Sequence, residues 1–121
     1  MNSTTALRIA AIMGFLAVAL GAFGAHGLQR VFLENGQKPI WETAAHYHLV
    51  HAVVLLVLAL RGGISRLTFQ LFTAGIIIFS GSLYLLAVTN VKWLGAITPI
   101  GGLCLLGGWL TLAFVRPNAA T

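Results

Sequence analysis

The chain has 121 residues, 59% of them hydrophobic and only 7% charged, with a formal charge of +5. That balance excludes an ordinary soluble domain, which needs far more charge to cover its surface, and it makes a lipid bilayer the medium in which the chain is stable. The seven cations stand singly at the ends of apolar runs, so the clustered basic footprint that nucleic-acid binding requires is missing.

Four apolar segments, at about 9–27, 44–60, 67–89 and 94–115, are long enough to cross. A crossing needs ~20 residues at 1.5 Å each to span a ~30 Å hydrocarbon core. The first could pass for a signal peptide, with Arg8, an apolar stretch and Ala22-Phe23-Gly24 as a loose cleavage site. Its apolar stretch is long for that role. Ala10, Gly14, Ala17, Gly21 and Ala25 also fall on one helical stripe suited to close helix contact in lipid. It is therefore expected to remain as a span. The next connection, 28–43, is the longest and holds the turn signal Asn35-Gly36 and Pro39.

The second segment is the shortest and opens with WETAAHYHLVHA, which places His46, His48 and His51 within six residues. With Tyr47 at zero and ~100° per residue, Thr43, Tyr47, His48 and His51 share a face. A polar face on a membrane helix normally points into the bundle or a wet cavity. Glu42 and His46 lie on the flank at headgroup level, with the i,i+4 spacing of a pair. A tight basic turn from Arg61 to Arg66 leads into the third span, and Thr89-Asn90-Val91-Lys92 leads out of it. In the fourth, either Pro99 kinks a helix begun near Leu94, or Thr98 caps a helix whose first residue is Pro99. Gly101-Gly102 and Gly107-Gly108 offer close approach there. Cys104 is the one cysteine and reads as a small apolar residue.

The expected fold is thus an all-α integral membrane protein, an antiparallel four-helix transmembrane bundle in one domain, 1–121. Four spans put both termini on one side, with Arg8, Arg61, Arg66 and Arg116. The other side holds Arg30, Lys38 and Lys92 with Glu34 and Glu42. The positive-inside rule then makes the termini cytoplasmic. His26, Thr43, Tyr47, His48, His51, Ser80, Ser82, Tyr84 and Thr98 all fall in the opposite, outer half, and are expected to line one polar pocket for a ligand or a proton relay.

Several chemistries compete for that pocket. His48 and His51, three apart, could reach one metal ion with His26 as a third ligand. The remaining ligands are missing, and so is a CxxCH haem attachment, so no metal site and no cofactor is assigned. Intramembrane His and Tyr suit a proton or small-solute path. Such a path must cross the membrane, and the inner half offers only Gln70 and Thr111 with Arg61 and Arg66. The same residues could simply hydrogen-bond across helices and fix register. An enzyme is not expected, since the chain lacks a nucleophile–base–acid set, a phosphate loop and any Asp.

Four strings add a resemblance. GAFGAHGL closes the first span, Thr43, Tyr47 and His51-Ala52 mark the second, FSGSLY lies in the third and ITPIGG opens the fourth. In this order they resemble the small four-span membrane proteins catalogued as domain of unknown function 423, which include the transmembrane-protein-256-like proteins of animals. The resemblance implies four helices and a bacterial inner (plasma) membrane. It implies no activity. It maps onto His26, Thr43, Tyr47, His51, Ser80, Ser82, Tyr84, Thr98 and Pro99, while His46 and His48 depart from the pattern. The expectation is a small inner-membrane protein that binds a ligand or partner in the outer pocket, the partner being a second copy or another membrane protein. A channel is the alternative, and metal or haem binding the third.

Overall fold

The computed structural model describes residues 2–114, all of them in helices or the turns between. In chain order these are α1 (Ser3–His26), α2 (Gln29–Asn35), α3 (Lys38–Arg61), α4 (Arg66–Gly75), a π-helical turn (Ile76–Ser80), α5 (Gly81–Thr89), a 3-10 turn (Lys92–Ala96) and α6 (Thr98–Ala113). Four stretches are long and apolar enough to cross a membrane: Ser3–His26, Lys38–Arg61, Arg66–Thr89 and Lys92–Ala113. The expected end of the fourth span at Val115, and Arg116 beyond it, lie outside the described residues. A helix of 24 residues is ~36 Å long, so the ends of the first three spans reach past a ~30 Å hydrocarbon core.

The second span is not the shortest. It starts at Lys38 rather than near Ala44, because Pro39 in the first turn costs no hydrogen bond there. The connection 28–43 is likewise not a plain loop, since most of it is α2 and the first turns of α3. Gly36, at φ 69°, ends α2 in the left-handed conformation that a Cβ would oppose. The Asn35 side chain donates to the Ala87 carbonyl at 2.8 Å, and the Gln37 amide to Asn90 Oδ1 at 2.7 Å. Leu28, Phe32 and Trp41 pack on Leu83, Tyr84 and Ala87, so this segment closes one end of the bundle.

The small-residue stripe of α1 is real but shifted. Ala6, Ala10, Ala17 and Gly24 are buried, while Ala25 is exposed, and a Cβ at Gly14 or Gly21 would meet open space. Gly24 is needed because the Trp41 ring lies against it, and the indole N–H donates to the Leu20 carbonyl at 3.0 Å. The first span is therefore an integral part of the bundle, held along α3. In turn α3 packs on the third span, and the third span on α6. Leu55, Leu58, Phe69, Phe72, Ile76 and Leu105 fill the centre.

One glycine of each α6 pair faces the third span. A Cβ at Gly101 would collide with the Phe79 backbone, and one at Gly108 with the Phe72 ring, while Gly102 and Gly107 have room. The start of the fourth span follows neither simple alternative. A 3-10 turn ends at Ala96, Ile97 occupies the N-cap position, and Thr98 and Pro99 are the first two helical residues. Thr98 does not cap, because its hydroxyl is turned to Ser82 at 2.6 Å.

Candidate functional site

The π turn positions the polar groups of the third span. A π turn accommodates one extra residue and rotates the helix beyond it, and it is often found at functional sites. Ser80, at its end, is 1% exposed and donates to the Ala44 carbonyl of α3 at 2.8 Å. Ser82 donates to the Phe79 carbonyl at 2.9 Å and completes its pairing with Thr98. Tyr84, a turn further on, meets His48 Nδ1 at 2.9 Å.

His51 is held on both nitrogens. Nδ1 lies 2.8 Å from the Tyr47 carbonyl, which can only accept, so Nδ1 carries the proton. Nε2 is then free to accept, and does so from the Trp109 indole N–H at 3.1 Å. The ring is neutral in this arrangement, and both of its polar atoms are satisfied. Phe72 flanks it at 5.9 Å, and the Tyr47 ring stacks on it at 6.1 Å with an interplanar angle of 5°.

His48 is different. It is 4% exposed, and its Nε2 is the one buried side-chain polar atom without a hydrogen-bond partner among the described residues. The Met13 carbonyl of α1 lies alongside the ring without closing a proper bond. If Tyr84 donates to Nδ1, Nε2 is an unsatisfied donor; if Nδ1 donates to Tyr84, Nε2 is an unsatisfied acceptor. Either way Nε2 is left unpartnered and sealed from solvent, behind the wall of a groove of about 180 Å³ whose exposed lining is apolar and which Met13, Leu16, Leu20, Ile77 and Ser80 form together with His48 and Tyr84.

The expected single pocket is therefore divided. His26 and Thr43 are exposed, and the Thr43 hydroxyl turns back to the Pro39 carbonyl at 3.0 Å. Tyr47 is 42% exposed and lines a second groove of about 300 Å³ with His51, Phe79, Leu106 and Trp109. His48 faces α1 and α5, whereas His51 faces α6, so the helical pair cannot converge on one ion. Among the described residues no three His, Cys, Asp or Glu converge anywhere. The buried histidines also lie deep rather than at the mouth. At 1.5 Å per residue, His48 is ~15 Å and His51 ~20 Å along α3 from Lys38. Glu42 pairs with Lys38 at 3.9 Å instead of with His46.

Sequence reasoning missed Trp109, the hydrogen-bond partner of His51. The signal was present: an indole N–H well inside a membrane helix needs an acceptor, and few exist. It also missed the polar tie at the Arg61 end. Thr68, 0% exposed, bonds Ser65 and Thr111 there, both at 2.9 Å.

The family described as "Protein of unknown function (DUF423)" matches residues 20–102, which include α2, α3, the third span and the start of α6. The chain belongs to the DUF423 family. It is similar to the UPF0382 membrane protein of Staphylococcus epidermidis, 45% identical over 86% of this chain and 88% of that one. The UPF0382 membrane protein YwdK of Bacillus subtilis is 44% identical over 86% and 89%. A UPF0382 membrane protein of Schizosaccharomyces pombe is 37% identical over 89% and 98%. No solved structure matches the chain. This DUF423 member is a multi-pass, all-helical membrane protein.

Proposed function

We propose that the chain binds a small, mostly apolar, membrane-borne molecule with one hydrogen-bonding group, in the groove beside His48 and Tyr84, and that it is not an enzyme. The observation that carries this reading is the buried, unpartnered His48 Nε2. A buried polar atom with no partner costs about 1–3 kcal/mol, and more in hydrocarbon. A ligand that seats in the groove, displaces the side chains covering Nε2 and completes this bond recovers that energy. The groove walls are otherwise apolar, which suits a lipid-soluble molecule arriving from the side. A transport reading has less support, because Leu55 and Phe72, both 0% exposed, plug the centre between the His48 level and the Thr68 tie.

The test is mass spectrometry of small molecules retained by the protein in mild detergent, beside His48→Leu and Tyr84→Phe variants. A lipid-soluble compound held by the wild type and lost in both variants is expected. Equal retention by all three, or none by the wild type, sinks the reading.

We further propose that the membrane is the bacterial inner membrane and that both termini are cytoplasmic. Arg8, Arg61, Arg66 and Arg116 in the sequence outnumber Arg30, Lys38 and Lys92 of the opposite end, four cations to three. A fluorescent protein fused after Thr121 is expected to fold and fluoresce in intact bacteria. A dark fusion alongside an active periplasmic reporter at the same position reverses the orientation.

A further inference from the structure

The lipid-facing side of α3 carries a second pattern. Thr43, His46, Val50, Val53, Val57 and Leu60 follow one another at alternating intervals of three and four residues. All six are exposed, Val50, Val53, Val57 and Leu60 at 41, 52, 55 and 70%. Ala44, His48, His51, Leu55 and Leu58 lie on the opposite, buried side of the helix. A seam with this spacing is the heptad pattern of a left-handed helix pair, with Thr43, Val50 and Val57 at a and His46, Val53 and Leu60 at d.

The polar residues on this side make it more than a lipid-facing surface. Glu42, Thr43, His46 and Tyr47 are all exposed here, although polar side chains in membrane segments almost always face protein or water. The Tyr47 hydroxyl makes no hydrogen bond among the described residues, and Glu42 holds Lys38 only at 3.9 Å with 64% of its side chain exposed.

We propose that this face binds a second copy of the same chain, α3 against α3 in parallel, around a two-fold axis along the membrane normal. Such an interface is self-complementary, because each residue meets its own counterpart. The a and d layers then stack Thr43, His46, Val50, Val53, Val57 and Leu60 on themselves. In heptad terms Glu42 is at g and Tyr47 at e, five residues on, which is the g-to-e′ relation across a parallel pair. The acceptor without a close partner meets the donor without one, and His46 meets the equivalent imidazole. In lipid, where helices gain little hydrophobic drive, close packing and such polar pairs supply the association. This inference is independent of the ligand reading, since the His48 groove lies on the other side of α3.

The test is disulfide cross-linking in native membranes, in a Cys104→Ala background. Val53→Cys and Val57→Cys report the seam. Leu103→Cys on α6 and Val18→Cys on α1, 68 and 66% exposed, report random lateral collisions. None of these side chains belongs to the buried core, so folding is preserved. Mild oxidation is expected to convert most of the two seam variants to covalent homodimers and little of the controls. Equal cross-linking at all four positions overturns the proposal, as does no homodimer at the seam or products containing only a different protein.

Discussion

Replacing Gly101 by valine will unseat α6 from the third span, while Gly14→Ala will leave stability unchanged or slightly raised. Both residues are helical glycines on spans of similar character, and the difference lies in what a Cβ would meet. At Gly14 it meets nothing within 4 Å. At Gly101 it meets backbone, lying 2.7 Å from Phe79 Cα with the amide nitrogen closer still. Backbone cannot rotate away as a side chain can. This stretch is held further by Ser80, whose hydroxyl anchors the π turn to α3. Forcing extra volume into a packed contact costs about 1–3 kcal/mol or more, and we expect Gly101→Val at or above the upper end. Gly24→Val is expected to be similarly damaging, because the obstacle there is the Trp41 ring, which is buried and tied to the Leu20 carbonyl. The measurement is unfolding in mixed micelles of mild and denaturing detergent, followed by tryptophan fluorescence. A Gly101→Val midpoint equal to that of the wild type would mean that α6 does not dock where the Phe79 backbone lies.

The four spans are legible because the signal for a membrane helix is the simplest one a sequence carries: an uninterrupted apolar run of sufficient length. The same simplicity hides the details. Hydropathy says where a helix is apolar, not which side it buries, since lipid and core accept the same residues. The stripe on α1 is therefore only partly legible in the sequence: Ala10 and Ala17 are buried as expected, but beside Trp41 it is Gly24 that is buried rather than Gly21 and Ala25. Helical angles on α3 correctly group His48 and His51 on the buried side but include Thr43 and Tyr47, which lie just beyond its edge. Polarity alone cannot separate them, because here the exposed strip is polar as well. The π turn has no sequence signature of its own. Yet it decides that Ser80 reaches α3 while Ser82 reaches Thr98. α2 is hidden behind Asn35-Gly36, a genuine turn signal that marks the end of a short helix rather than the middle of a loop.

His51→Ala will destabilise the protein more than any substitution of His26 or His46, and a double-mutant cycle will assign part of the loss to Trp109. Truncation removes two things at once. It opens a cavity between Phe72 and Trp109, whose rings sit 5.3 Å apart, and it leaves the Trp109 N–H without its acceptor. Together these are expected to cost about 3 kcal/mol, from the usual range for large-to-small changes in a core and for an orphaned donor. His51→Phe keeps most of the volume and loses only the hydrogen bonds, so it is expected to cost less. The cycle of His51→Phe with Trp109→Phe isolates the shared bond, and polar contacts between membrane helices average ~0.6 kcal/mol and reach about 1.7 kcal/mol. His26→Ala and His46→Ala, both at exposed positions, should stay within about 0.5 kcal/mol in monomeric detergent conditions. The same micelle titration reads all of these. Zero coupling in the cycle would show that Trp109 does not donate to His51, and would leave packing against Phe72 as the reason this histidine is buried. A coupling above ~0.5 kcal/mol fixes His51 as a neutral hydrogen-bond acceptor tying α3 to α6.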